Sequence, residues 1–206
     1  MTDNTVGSLG GLQTLVSNNE SAYIFGLWCA DGYHWSSSIG LSNSDKKLID
    51  RFSRFLASIF PKDRLRLRVY YPKGQKPFGF KIAYPMRLAK QISYHTYVNS
   101  RPLVRLFFKT KENLPELKQK YLAAYFAGRF DGDGTIAKDL RSDLRISYTR
   151  KAEAELDQWL LNKLSPLRTK VYHYRTSSTY VLYISRMDAS VFLKQIRPFS
   201  TRLQHS

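Results

Sequence analysis

Residues 22–34 read AYIFGLWCADGYH, and residues 121–136 read YLAAYFAGRFDGDGTI. Each stretch is an apolar run that contains a glycine and leads into Asp-Gly. One Asp-Gly pair alone is weak evidence, because this dipeptide is common in turns and glycine often follows the end of a helix. The same arrangement built twice in a chain of 206 residues indicates an internal repeat.

The segments after the two runs agree in order and spacing. Asp133 follows Asp31 by 102 residues, and Gln195-Ile196 follows Gln91-Ile92 by 104. In each unit, strands and a helix follow the apolar segment, and two further strands and a final helix come after them. The order αββαββα predicts an α+β fold of two pseudo-symmetric units, each with its strands in one antiparallel sheet.

This repeat divides the chain into four segments. We expect a flexible segment at 1–19, a first repeat at 20–99, a linker at 100–117 and a second repeat at 118–206. The linker contains Pro102, Pro115 and a charged stretch, which are typical of a connection between folded units.

The two apolar runs share a spacing of small residues. Gly26 and Ala30 stand four apart, as do Gly128 and Gly132, so each pair lies on one face of a helix. Two such faces can pack with very close backbones. This packing would bring the ends of the two helices together, with Asp31 beside Asp133.

The charge of the chain points to a polyanionic partner. Lys and Arg number 33 against 16 Asp and Glu, which gives a net charge of +17. Nucleic acid is the first candidate. An anionic membrane surface is the weaker one, because the basic residues fall on strand-like stretches and not on one amphipathic helix. No apolar run approaches the roughly 18 residues that span a bilayer.

Cysteine content and the N-terminal sequence bear on the compartment. The single cysteine, Cys29, excludes an internal disulfide and a cysteine-based zinc site. The first residues show no basic start followed by an apolar core, so we expect no secretory signal. We therefore expect an intracellular protein, cytoplasmic in a prokaryote or organellar in a eukaryote.

A strictly alternating stretch, RLRLRV at 64–69, predicts a strand that binds DNA. Arg64, Arg66 and Arg68 would lie on one face at intervals of about 7 Å, and the apolar residues on the other. Arginine suits guanine edges and phosphates, and a two-stranded ribbon fits the major groove. A solvated sheet face is the ordinary alternative, but RLRLRVYYPKG contains no acid, which favours DNA. The other predicted DNA-binding residues are Lys81, Arg141, Arg145, Arg168, Lys170 and Tyr172.

Paired acids at two helix ends are unfavourable for stability alone. A carboxylate at a helix C-terminus opposes the macrodipole by up to about 1 kcal/mol, and two neighbouring carboxylates repel each other. A divalent cation between Asp31 and Asp133 would offset this cost. Mg²⁺ prefers oxygen ligands and binds through one or two carboxylates plus substrate phosphate. The pair is therefore typical of a metal-dependent phosphodiesterase centre.

At these residues the chain resembles a known family. IFGLWCADG (24–32) and FAGRFDGDG (126–134) look like the two motif copies of single-chain LAGLIDADG homing endonucleases, and the resemblance covers residues 20–200. It implies a saddle-shaped monomer with a central interface of two helices. It also implies Mg²⁺- or Mn²⁺-dependent cleavage of both strands of a long, asymmetric DNA site.

The resemblance also implies roles for particular residues. The final acid of each motif binds metal in the family, which transfers to Asp31 and Asp133, and the preceding carbonyls make Ala30 and Gly132 secondary ligands. Arg186 would fill a basic position beside the metal site, with a phosphate anchor as the equal alternative, and Arg145 a polar position on the second strand. Asp131 stands where the first copy has Cys29, which suggests packing or capping instead of chemistry. The competing class is a non-cleaving nucleic-acid binder on the same scaffold, such as an intron maturase or a DNA-binding regulator.

Overall fold

The computed structural model describes residues 14–75, 77, 79–80, 82–137 and 143–204. The first repeat contains α1 (Asn19–Asp31), β1 (Gly32–Trp35), β2 (Ser38–Asn43), α2 (Lys46–Ile59), β3 (Arg66–Pro72), β4 (Ala83–Met86), β5 (Ser93–Asn99) and α3 (Arg101–Glu112). The second contains α4 (Gln119–Asp133), β6 (Gly134–Ile136), β7 (Leu144–Tyr148), α5 (Lys151–Leu164), β8 (Thr169–Tyr174), β9 (Thr179–Ile184) and α6 (Arg186–Ile196). Among these helices, none has the length and apolar character needed to cross a bilayer.

The strands form one sheet per repeat, which confirms the predicted α+β class. Sheet A has the order β1-β2-β5-β3-β4, and sheet B has the order β6-β7-β9-β8. Neighbouring strands are antiparallel except β3 and β4, which are parallel. The second repeat therefore follows αββαββα in full, and the first carries β4 as an additional edge strand.

The structure corrects the predicted end of the first repeat. Gln91 and Ile92 lie in a turn region, whereas Gln195 and Ile196 end α6, so the offset of 104 residues does not join equivalent positions. The counterpart of β9 is β5, and the counterpart of α6 is α3, which occupies much of the segment that we assigned to a linker. Pro102 does not interrupt α3 because it lies in the first turn, where a backbone N–H would have no hydrogen-bond partner within the helix.

The contacts within the chain define two compact units. Among the described residues, one unit combines 14–15 with those of 32–110, and the other combines 16–31 with those of 111–204. Helix α1 therefore belongs to the same unit as α4, although the sequence separates the two by a whole repeat. Both motif helices and sheet B lie in the second unit.

In the first unit, α2 packs on β2 and β5 of sheet A, and α3 packs against α2. Asp45 accepts a hydrogen bond from the Lys47 backbone N–H and caps α2. The apolar stripe of α2 (Leu48, Ile49, Phe52, Leu56) is buried, and Phe55 meets Phe107 of α3 with ring centroids 6.4 Å apart. The opposite face of sheet A is left uncovered by these helices.

The second unit contains the close helix pair that the sequence predicts. A Cβ atom at Gly26 would stand 2.0 Å from the Tyr125 carbonyl oxygen, and one at Gly128 would stand 2.1 Å from the Tyr23 carbonyl oxygen. Only glycine fits such a contact between backbones. Most residues of both helices are buried, as expected for helices that are apolar on more than one face.

Candidate functional site

The motif helices end beside each other and bring their final acids together. Asp31 is the last residue of α1, and Asp133 is the last residue of α4. A Cβ atom at Gly132 would stand 2.4 Å from the Ala30 Cβ and 2.9 Å from Asp31 Oδ2. The carboxylate of Asp31 therefore lies against the residue that precedes Asp133.

The surroundings of Asp133 disfavour its charged form. Burial raises the pKa of Asp133 from 3.8 to about 6. The positive charge of Arg129 lowers this pKa, whereas the negative charges of Asp31 and Glu153 raise it further. The side chain keeps 31% of its surface exposed, so it remains open to a ligand. A cation placed between the two acids would remove this electrostatic cost.

A buried arginine supports Asp133 from behind. Arg129 is 2% exposed, and its Nη1 lies 3.8 Å from Asp133 Oδ2. Its Nε donates to Asp157 Oδ2 at 3.1 Å, and its guanidinium lies 4.5 Å from the centre of the Tyr148 ring. Asp157 also accepts from the hydroxyls of Tyr125 and Tyr148, each at 2.8 Å. Arg129 is thus held between one fully buried acid and one partly exposed acid.

A cavity of about 150 Å³ opens beside these groups. It is lined by Cys29, Ala30, Arg129, Asp133, Ser147, Tyr148, Thr149, Glu153 and Thr179. Burial raises the pKa of the Cys29 thiol to about 12, so the cysteine stays protonated at neutral pH. A protonated thiol is a poor metal ligand. The useful donors here are oxygen atoms.

The donor set suits a hard divalent cation. Asp31 and Asp133 offer carboxylates, and Ala30 and Gly132 lie in the last turns of their helices, where carbonyls lack partners within the helix. Among the described residues, no three His, Cys, Asp or Glu side chains gather into a metal-binding group. Mg²⁺ does not need such a group, because water and substrate phosphate complete its coordination.

Asp131 has the structural role that the sequence suggested. It is buried, and it accepts hydrogen bonds from the Tyr23 hydroxyl at 2.7 Å, the Ser200 hydroxyl at 2.5 Å and the Thr201 N–H at 2.6 Å. These bonds join both motif helices to the segment after α6. With its oxygens occupied in this way, Asp131 is not available as a metal ligand.

The two arginines predicted at the site, Arg145 and Arg186, lie on different elements of the second repeat. Arg145 lies on β7, where its Nε donates to Asp143 at 2.8 Å and its register partners are Thr135 and Tyr183. Arg186 is the exposed first residue of α6, just after β9. Thr179, which lines the cavity, lies at the opposite end of β9. The structure therefore does not place Arg186 among the described residues around Asp133.

In sheet A the predicted arginine row is shorter than expected. Arg64 lies outside the strand, in a single 3-10 turn (Lys62–Arg64), and its Nη2 donates to the Asn99 carbonyl at 2.9 Å. The prediction that it shares a strand face was wrong, because pairing with β5 begins only at Arg66. Arg66 and Arg68 do share the uncovered face. Lys81 lies outside the described residues.

In sheet B, one of the predicted basic residues is paired with an acid, whereas others are exposed. Arg168 precedes β8, and its guanidinium donates to both oxygens of Asp188 at 2.9 and 3.1 Å, which leaves it poorly placed to contact DNA. Lys170 and Tyr172 lie exposed on β8, and Lys170 Nζ stands 5.1 Å from the centre of the Tyr172 ring. Lys170 pairs with Tyr183, which in turn pairs with Arg145, so these three residues cross the sheet in one row. Arg141 lies outside the described residues.

Sequence reasoning missed the buried network around Arg129. Its signals are an arginine inside the apolar run FAGRFDGDG and an acid, Asp157, at the spacing of the buried face of α5. The first motif has Leu27 where the second has Arg129. Of its partners, Asp157 lies 28 residues away and Tyr148 lies on β7, and no local pattern predicts these two contacts.

Comparison with known families agrees with the two-repeat architecture. The model of the LAGLIDADG-like domain matches residues 18–110 and 120–197, which together form most of the chain. The chain belongs to this family. A search of curated proteins finds no match to it.

Solved structures share the fold at low sequence identity. I-DmoI in complex with DNA and manganese is 21% identical, with a TM-score of 0.61 over 86% of this chain and 96% of that chain. The homing endonuclease I-WcaI bound to its DNA recognition sequence is 14% identical, with a TM-score of 0.69 over 100% of this chain and 93% of that chain. Full-length DUF199/WhiA from Thermatoga maritima is 15% identical, with a TM-score of 0.62 over 94% of this chain and 61% of that chain. At these identities the likeness concerns the fold.

Proposed function

We propose that this protein is a site-specific endonuclease that cuts both strands of DNA with the help of a divalent metal ion. The observation that carries the proposal is the meeting of Asp31 and Asp133 at the ends of two helices in backbone contact. Two neighbouring carboxylates repel each other, and a bound divalent cation would remove this cost. The net charge of +17 on the rest of the chain suits a polyanionic substrate beside that cation.

The metal-binding residues that we propose are Asp31 and Asp133, with the carbonyls of Ala30 and Gly132 as secondary ligands. Mg²⁺ or Mn²⁺, when bound, polarises the scissile phosphate and lowers the pKa of the attacking water. The two carboxylates, one from each repeat, orient the reacting groups on the two DNA strands. Arg129 fixes the side chain of Asp133 from the buried side, since its own position is set by Asp157.

The face of each sheet that lies opposite its packed helix supplies the proposed DNA contacts. On sheet A these are Arg66 and Arg68, and on sheet B they are Arg145, Lys170 and Tyr172. Because Arg186 lies at the end of β9 away from the cavity, we assign it to a phosphate contact and not to chemistry. The two sheets carry different side chains, which supports a long and asymmetric target bound by one monomer.

The test is cleavage of a library of random DNA duplexes, with sequencing of the cut ends. We expect Mg²⁺-dependent cuts at one family of related sites, no cuts in the presence of EDTA, and none by the Asp31→Asn/Asp133→Asn double variant. Cleavage that persists in EDTA or in the double variant would contradict the metal mechanism. A wild-type protein that cuts no library member would contradict the nuclease assignment.

A non-cleaving nucleic-acid binder is the second candidate. The fold likeness to WhiA as well as to homing endonucleases supports keeping it, because a shared fold does not select between binding and cleavage. This candidate predicts selective DNA binding that is unchanged by Mg²⁺ and by the double variant. Retention of both acids favours the endonuclease.

A further inference from the structure

The uncovered face of sheet A holds an aromatic cluster around His95. This residue lies on β5, the middle strand of the sheet. Its ring centroid is 4.1 Å from that of Tyr33, 5.4 Å from that of Tyr97 and 6.3 Å from that of Tyr70. Tyr33 pairs in register with Gly40, a position that has no side chain. A Cβ atom at Gly40 would stand 2.6 Å from the Tyr97 Cβ, which explains the glycine.

Arg68 is the cation of this cluster. It pairs in register with His95, and its guanidinium lies 4.9 Å from the centre of the Tyr97 ring. A hydrogen bond with the Tyr70 side chain raises the pKa of Arg68. No acidic side chain forms an ion pair with Arg68 within the part of the chain that the structure describes. The guanidinium is therefore oriented by two tyrosines while its charge remains uncompensated.

His95 has an unmet hydrogen-bonding requirement. The residue is only 7% exposed, and its Nε2 atom is buried without a hydrogen-bond partner among the described residues. Burial, assisted by Arg68, lowers the pKa of His95, so the ring is neutral at pH 7. A neutral imidazole offers one donor and one acceptor. Buried polar atoms without partners are uncommon in folded proteins, so Nε2 offers a hydrogen-bonding position that a bound ligand can fill.

We propose that Arg68 and His95 form one base-reading unit, in which Arg68 binds the O6 and N7 atoms of a guanine in the major groove. When the Tyr33 ring, which lies 4.1 Å from that of His95, moves aside, His95 hydrogen-bonds the same base pair or the adjoining one. This inference rests on the proposed function, because it takes sheet A as a DNA-binding surface.

The position of the unit favours a base over a phosphate. β5 and β3 are interior strands of sheet A, and the interior of a sheet laid in the major groove faces the base edges. The planar fork of arginine matches guanine in a bidentate manner, and stacking on Tyr97 reduces the freedom that binding would otherwise remove. Arg66 is the contrasting residue on the same strand face, since its guanidinium is exposed and donates to the carbonyls of Asp63 and Leu65.

The test is selection of bound sequences from random duplexes, followed by sequencing, without any need for cleavage. Arg68→Gln should weaken the preference for guanine at one position by about 5- to 150-fold, the range of a lost bidentate contact. His95→Phe, which keeps an aromatic ring in the cluster, should weaken the preference at the same base pair or the next one. Arg66→Gln is the matched control, and it should lower affinity for all sequences about equally.

Each outcome decides a different claim. If Arg68→Gln and His95→Phe keep the wild-type base preferences at every position, the proposal that Arg68 and His95 read a base is wrong, while the proposed function stands. If the wild-type protein shows no sequence preference, both proposals fail. Should His95→Phe not fold, Arg68→Gln decides alone, because glutamine removes both the charge and the fork. Retained guanine preference in Arg68→Gln would then overturn the unit.

Discussion

Gly26 lies so close to Tyr125 that a Cβ atom at Gly26 would stand 2.0 Å from the Tyr125 carbonyl oxygen. This contact sets the distance between α1 and α4, and with it the distance between the acids at their ends. The glycines of the two motifs therefore act on the candidate metal site through the packing of the helices that carry it.

Replacing Gly26 or Gly128 by alanine should destabilise the protein. Alanine favours a helix over glycine by up to about 1 kcal/mol, but overpacking against a backbone costs about 1–3 kcal/mol or more. We expect a lower free energy of unfolding in urea for both variants. Ser190→Ala, on the exposed side of α6, is the control and should change it by less than about 0.5 kcal/mol. Unchanged stability of Gly26→Ala and Gly128→Ala would contradict the close contact.

The charge of Asp133 should make the stability of the metal-free protein depend on pH. The folded pKa of about 6 lies above the ordinary value of 3.8, so the folded state holds a proton that the unfolded state has lost between these values. Stability should therefore fall as pH rises from about 4 to about 6. Asp133→Asn removes the titrating group, and its stability relative to wild type should increase over this range.

Chemical denaturation at a series of pH values in EDTA measures this difference. Because Asp31 raises the pKa of Asp133, Asp31→Asn should move the decline in stability to lower pH. Parallel pH profiles for wild type and Asp133→Asn would show that Asp133 is not perturbed.

The buried pair of Arg129 and Asp157 should be costly to break from one side only. Removing one partner of a buried ion pair leaves an uncompensated charge and typically costs about 3–5 kcal/mol. Arg129→Leu and Asp157→Leu should each show such a loss. The double variant should recover much of it, because no buried charge remains. A double-mutant cycle from urea denaturation measures the coupling, and additive losses would contradict a direct pair.

Salt dependence should distinguish two cations that lie two residues apart. Each phosphate contact contributes about 0.9 to the slope of log K against log salt. Lys170→Gln should reduce the slope for DNA binding by about this amount. Arg168→Gln should leave it nearly unchanged, because Asp188 already occupies the guanidinium. Equal effects of the two substitutions, measured by fluorescence anisotropy, would contradict this assignment.

The helix pair and its acids could be predicted because their signals are local. Small residues four apart define a face, and the position of Asp31 and Asp133 at the end of each run follows from the run itself. The strand alternation of the first repeat likewise placed Arg66 and Arg68 correctly on one face.

Other features depend on partners that are distant in the sequence. The strand that we predicted to begin at Arg64 begins only at Arg66, where pairing with β5 starts. The guanidinium of Arg168 binds Asp188 instead of extending into solvent. The prolines suggested a linker where α3 forms, because a proline in a first turn leaves the helix intact. The buried partners of Arg129 arise from packing between α4, α5 and β7, which no periodicity encodes.

The paired acids are tested most directly by the cleavage rates of Asp31→Asn and Asp133→Asn on a duplex that the wild-type protein cuts. With Mg²⁺ present, we expect each single variant to bind the duplex with near wild-type affinity. Each should cut it more than about a hundredfold more slowly, a larger loss than a residue outside the metal's direct ligands typically produces. Cleavage by either variant at the wild-type rate would show that the paired acids are not the catalytic centre.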